Sequence, residues 1–108
     1  MDENRLRGLM GLCARAGRGV FGEDTCRRTL QGGKVFLLLM EEGISPGSAE
    51  KLTRLCGKTG VPVMRIPDGM MRAAGRDGRV MAVSDGSFAR QMAACGGDMG
   101  SPGETAGK

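Results

Sequence analysis

Three glycines and three arginines mark the stretch of this chain best suited to chemistry. Gly17-Arg18-Gly19-Val20-Phe21-Gly22 lets another backbone approach closely, and Glu23, Asp24, Thr25, Arg27 and Arg28 follow at helical spacing. A helix that starts here presents free N–H groups to phosphate oxygens. On this reading Arg18 and those amides hold phosphate. Asp24, Thr25 and Arg28 reach base edges, Arg28 standing four residues beyond Asp24 on the same face. The plainer alternative is that Glu23 and Asp24 complement the helix dipole while the arginines are solvated surface, and spacing alone does not separate the two. The glycines also spell G-x-G-x-x-G, with Glu41 and Glu42 at about the distance a ribose-binding acid takes. That reading fails on context, because a dinucleotide turn follows a strand and this pattern follows an amphipathic helix.

Absences narrow the chemistry. The 108 residues include no His, Trp or Tyr, and the three Phe are Phe21, Phe36 and Phe88. Without imidazole there is no Ser-His-Asp or Cys-His nucleophile and no histidine metal site. Three Phe are too few for a row of base-stacking platforms. Cys13, Cys26, Cys56 and Cys95 form no C-x-x-C pair, and three of them fall on apolar helix faces, so they read as small buried thiols. No catalytic residue, metal ligand or cofactor is expected, and the chain is not expected to be an enzyme.

Charge points the other way. Lys and Arg number 16 against 12 acidic residues, for a formal net charge of +4. Twelve of the 16 are arginine, whose planar fork matches phosphates and guanine edges. Residues 5–34 and 51–79 each carry a net +5, while residues 41–50 carry −3. A fold that joins the two basic segments would make a patch able to track a phosphate backbone, although scattered cations are also ordinary surface. No apolar leader follows Met1-Asp2-Glu3-Asn4-Arg5, and the run Val35–Met40 is too short to cross a bilayer. A reduced, cytoplasmic setting without membrane contact is therefore expected.

Periodicity supplies the elements that must position these groups. A helix is predicted over Asn4–Ala16, a very short strand at Val20-Phe21, and a second helix from Gly22–Asp24 to Gln31 with Cys26, Thr29 and Leu30 inward. Lys34–Met40 reads as a strand covered on both faces. Ser45-Pro46 or Ser48 caps a third helix that ends at Gly60. Strands at Val61–Ile66 and Arg79–Val83 flank a short helix over Pro67–Ala74 and a loop at Gly75–Gly78, and Phe88, Met92 and Cys95 mark a last helix. The alternation predicts an α/β fold, a three-layer α-β-α sandwich around one mixed four-stranded sheet. Residues 1–95 form the single domain of this reading, and the Gly-rich residues 96–108 are expected to be a disordered tail.

The order of these segments resembles the ribosomal protein L-seven-Ae/L-thirty-e family. Gly22-Glu23-Asp24-Thr25-Cys26-Arg27-Arg28, Gly33 and the strand closing in Glu41-Glu42 follow its pattern G-x-N-E-x-x-K, glycine, apolar strand, acidic pair. Leu55–Val63 is similar to its L-C-x-x-x-x-V-P-Y segment, Gly69–Gly75 to L-G-x-A-x-G, and Arg79–Asp85 to the strand that follows. The likeness spans about residues 5–93, and Gly11–Arg18 is most like the small bacterial members of the YlxQ type. It implies the same sandwich and an RNA partner of the kink-turn type, a bent duplex with tandem sheared G·A pairs. Ribosomal RNA is one candidate partner, and the protein is expected to be a monomer. Carried over, the family's contact positions fall on Gly22, Asp24, Thr25 and Arg28, with a second contact loop at Gly75 to Arg79. Together with Arg18 and Glu23 at the same helix start, the expected RNA-binding residues are Arg18, Gly22, Glu23, Asp24, Thr25, Arg28, Gly75, Arg76 and Arg79. Asp24 stands where the family has Asn, Thr25 where it has Glu, and Arg28 where it has Lys. The competing reading is a protein–protein adaptor on the same fold, using Glu41-Glu42-Gly43 and Met70-Met71 as its surface.

Overall fold

Leu37-Leu38-Leu39-Met40 has no polar side, so a strand built from it must be covered on both faces. A computed structural model, which describes residues 1–96 and the backbone of Asp98 and Met99, puts it at the centre of one sheet. The elements in chain order are α1 (Glu3–Arg15), β1 (Gly19–Phe21), α2 (Glu23–Gln31), β2 (Leu37–Glu41), α3 (Pro46–Thr59), β3 (Val63–Ile66), α4 (Met70–Ala73), β4 (Val80–Val83), α5 (Gly86–Ala93) and β5 (Asp98–Met99). The sheet order is β1-β4-β2-β3-β5, with β2 and β3 parallel and the remaining pairs antiparallel. The mixed sheet β1-β4-β2-β3 and its helical layers are those expected from the alternation. The two-residue β5 extends it at the β3 edge, within the stretch expected to be a tail; residues 97 and 100–108 of that stretch lie outside the described residues.

Side chains alternate across the sheet as the pleat requires. Leu37 and Leu39 enter a core with Leu6, Met10, Met71 and Met92, beneath α1, α4 and α5. Leu38 and Met40 enter a second core with Cys26, Leu30, Leu52 and Cys56, beneath α2 and α3. All four thiols are free and buried. Burial pushes Cys13 up to about 11, and Cys26 and Cys56 up to about 12, so they pack as small apolar groups.

Three boundaries differ from the sequence expectation. β2 starts at Leu37 rather than Lys34, because Gly33 turns with φ +80° and Val35 drops into the α2/α3 core. Phe36 is thereby turned outward and is 54% exposed. β3 starts after Pro62, which has no N–H for the ladder, and α4 is confined to four residues. Among the described residues no helix is long and apolar enough to cross a membrane.

Candidate nucleic-acid interface

The start of α2 is built differently from the other long helices. Asp2, Ser45 and Asp85 each accept a first-turn N–H at the starts of α1, α3 and α5. α2 begins instead at Gly22, whose φ of +95° suits glycine and which supplies no side-chain cap. Its first-turn amides are thus left open, at the positive end of the helix dipole. Gly22 is fixed from behind, since its N–H donates to the Val80 carbonyl at 3.1 Å as the β1–β4 ladder ends.

That ladder brings in a loop remote in sequence. β4 starts at Val80, opposite the Phe21 end of β1, so residues 75–79 must run past the start of α2. The approach is tight: a Cβ on Gly78 would lie 3.3 Å from Gly22 Cα and 3.4 Å from its nitrogen. The Arg76 guanidinium sits 5.3 Å from the centroid of the Phe21 ring. Between loop and helix lies an open groove of about 610 Å³, lined by Val20, Phe21, Gly22, Thr25, Gly75, Arg76, Asp77 and Gly78. Backbone amides and Arg76 make it receptive to an anion, with Asp77 the one carboxylate in its lining.

The sequence-predicted residues separate into groups. Gly22, Thr25, Gly75 and Arg76 line the groove. Asp24 and Arg28 are exposed on the same helix; Asp24 pairs with Arg27 at 3.2 Å, while Arg28 makes no ion pair with any described residue. Glu23 is drawn toward α3, its carboxylate accepting the Ser48 hydroxyl at 2.6 Å. Arg79 lies at the same end of the sheet but turns to Glu41 and Asp68, at 3.3 and 3.6 Å. Arg18 is not brought into the cluster. It precedes β1 at the other end, where its carbonyl accepts both the N–H and the hydroxyl of Ser84. Three strand residues at about 3.4 Å each separate it from Gly22.

Two surfaces differ from expectation. Glu41 does not form a polar loop with Glu42: it ends β2 and is 2% exposed. Met70 and Met71 are also buried, so the adaptor reading loses those three residues from its surface. Conversely, Phe21 as the platform for Arg76, and Glu41 and Asp68 as partners of Arg79, were not singled out from sequence as site residues. The only local signal for Glu41 is its place directly after an all-apolar strand.

Known proteins are similar to this chain in sequence and in fold. The chain is 32% identical over 87 residues to the RNA-binding protein YlxQ of Bacillus subtilis (strain 168), covering 78% of this chain and 87% of that protein. A solved protein of unknown function from Bacillus halodurans C superposes with a TM-score of 0.76 at 32% identity, covering 84% of this chain and 95% of that one. The 15.5kD RNA binding protein of Giardia lamblia shares the fold, with a TM-score of 0.68 at 18% identity over 84% of this chain and 81% of its own. No family model matches the chain.

Proposed function

The chain belongs to the YlxQ-type members of the ribosomal protein L-seven-Ae/L-thirty-e family, and from that premise we propose that it binds structured RNA of the kink-turn type at the α2 end of its sheet. The observation that carries this reading is the uncapped start of α2 facing the loop 75–79 across a groove. Open amides and the Arg76 guanidinium would read the backbone of a bent duplex, while Thr25, Asp24 and Arg28 would reach the G·A pairs in its opened groove. Asp24 accepts hydrogen bonds only, which suits guanine N1–H and N2–H₂. Arg28, without an ion-pair partner among the described residues, has its fork available for guanine O6 and N7.

Shape would be recognised by main-chain and phosphate contacts, so affinity should fall with salt, whereas preference should depend on the few base contacts. The resemblance to ribosomal proteins makes structured ribosomal RNA the first target to try. A gel-shift titration at fixed salt compares a kink-turn RNA with a control whose G·A pairs are replaced by Watson–Crick pairs. Clear preference for the bent RNA is expected, and equal affinity for the two would rule out the kink-turn reading.

A further inference from the structure

Glu41 is the one charged residue buried in the described part of the protein, and the RNA-binding reading gives it no task. Burying a carboxylate is costly unless it is paired and hydrogen-bonded, so its partners reveal what it holds. Its Oε2 accepts the Met71 N–H at 2.8 Å, and its Oε1 accepts from Arg79 Nη1 at 3.3 Å. The Met71 carbonyl in turn accepts the Arg76 N–H at 2.9 Å, and the Glu41 N–H donates to the Arg79 carbonyl at 2.9 Å. One side chain and its own peptide therefore grip both ends of the loop 75–79. Asp68 closes the brace, with an oxygen 3.6 Å from Arg79 Nη1 and a hydrogen bond from the Gly43 N–H.

We propose that Glu41 is a positioning residue for the RNA site: through Met71 and Arg79 it sets the loop 75–79 against the start of α2, and with Asp68 it makes the half-exposed Arg79 an ion-paired strut rather than a phosphate ligand. The role assigned to the loop rests on the RNA-binding reading; the mechanical link does not. Two carboxylates offset the Arg79 charge. The loop is then left with Arg76, poised over Phe21, as its cation facing the groove. Such a division gives shape selection at the expense of non-specific affinity, because a half-exposed cation already paired with the protein's own carboxylates releases less counterion when RNA binds.

The test uses the full chain carrying Glu41→Gln, which keeps an acceptor for Met71 but removes the charge that holds Arg79. In the free protein, hydrogen exchange at the Arg76 amide should speed up by about tenfold or more; exchange at the natural rate overturns the proposal. With RNA, the variant should lose about tenfold of its preference for the bent element, and binding to a straight duplex should gain up to about 0.9 in log–log salt slope as Arg79 is freed. Arg79→Ala separates strut from ligand. A strut loses preference at an unchanged salt slope, whereas a slope flattened by about 0.9 makes Arg79 a phosphate ligand and overturns the assignment. If Glu41→Gln does not fold, Asp68→Asn, which alters the exposed side of the brace, should move each readout the same way by less, and no movement overturns the proposal. A natural sequence indifferent to RNA bending would defeat the kink-turn reading, while the exchange measurement would still decide this one.

Discussion

The two ends of the central sheet use the same chain chemistry to opposite effect. At the far end, Asp85 caps α5 by accepting the Phe88 N–H at 2.9 Å, and the Arg18 carbonyl takes two hydrogen bonds from Ser84. Those groups are satisfied within the protein. At the near end, α2 begins at a glycine with no side-chain cap and faces a groove. Position in the fold does not by itself cause the difference, because Ser45 caps α3 in the connection that leaves the same end of the sheet. The residue at the cap decides. Glycine there costs only a few tenths of a kcal/mol relative to Ser or Asp, so leaving donors open is inexpensive for the fold. The open start also faces a braced loop across the groove, and among the described residues the far end has no such pairing of a loop with an uncapped helix.

Breaking the near end should have the largest effect. Gly78→Val puts a β-branched residue at φ +89° with its Cβ against the Gly22 backbone, so the loop must withdraw. The strain amounts to about 1–3 kcal/mol, and the melting temperature should drop by on the order of 5–15 °C. Kink-turn affinity should fall more than tenfold in the protein that remains folded. Wild-type affinity in this variant would detach the loop from the site. Arg28→Ala should come next, costing about 1–3 kcal/mol of RNA binding by titration, with little change in salt slope. Because Arg28 is exposed and unpaired among the described residues, stability should stay within about 0.5 kcal/mol. Arg18→Ala should matter least, within about 0.5 kcal/mol in RNA affinity and stability alike. A loss equal to that of Arg28→Ala would mean that both ends of the sheet meet the RNA.

Much of this architecture is legible in the amino-acid sequence. Continuous apolarity at Leu37–Met40 required cover on both faces, and the two cores supply it. Cys13, Cys26 and Cys56 on apolar helix faces read as buried thiols, which they are. Gly22 followed by Glu23 and Asp24 marked a helix start, and α2 begins there. The misreadings share a cause. Glu41 looked like a surface acid because nothing local distinguishes a carboxylate bonded to Met71 and Arg79 from one facing water. Phe36 looked like a strand residue because its neighbours are apolar, yet the turn at Gly33 leaves it outside both cores.

Hydrophobic period, glycine placement and capping residues act over a few positions, so the sequence alone settled the principal helices and strands and the layered fold, and it bounded the start of α2 to Gly22–Asp24. Which arginines share a surface was beyond it. Arg18 lies four residues from Gly22 yet stands at the other end of β1, while Arg76 lies more than fifty residues away and meets Phe21. Strand pairing makes that choice: setting Phe21 opposite Met81 and Met40 opposite Val80 fixes where the loop 75–79 must run. The same pairing hands Arg79 to Glu41. Charge can be counted along a chain, but whether a given cation is free or neutralised depends on register between strands distant in sequence, and only the tertiary structure sets that register.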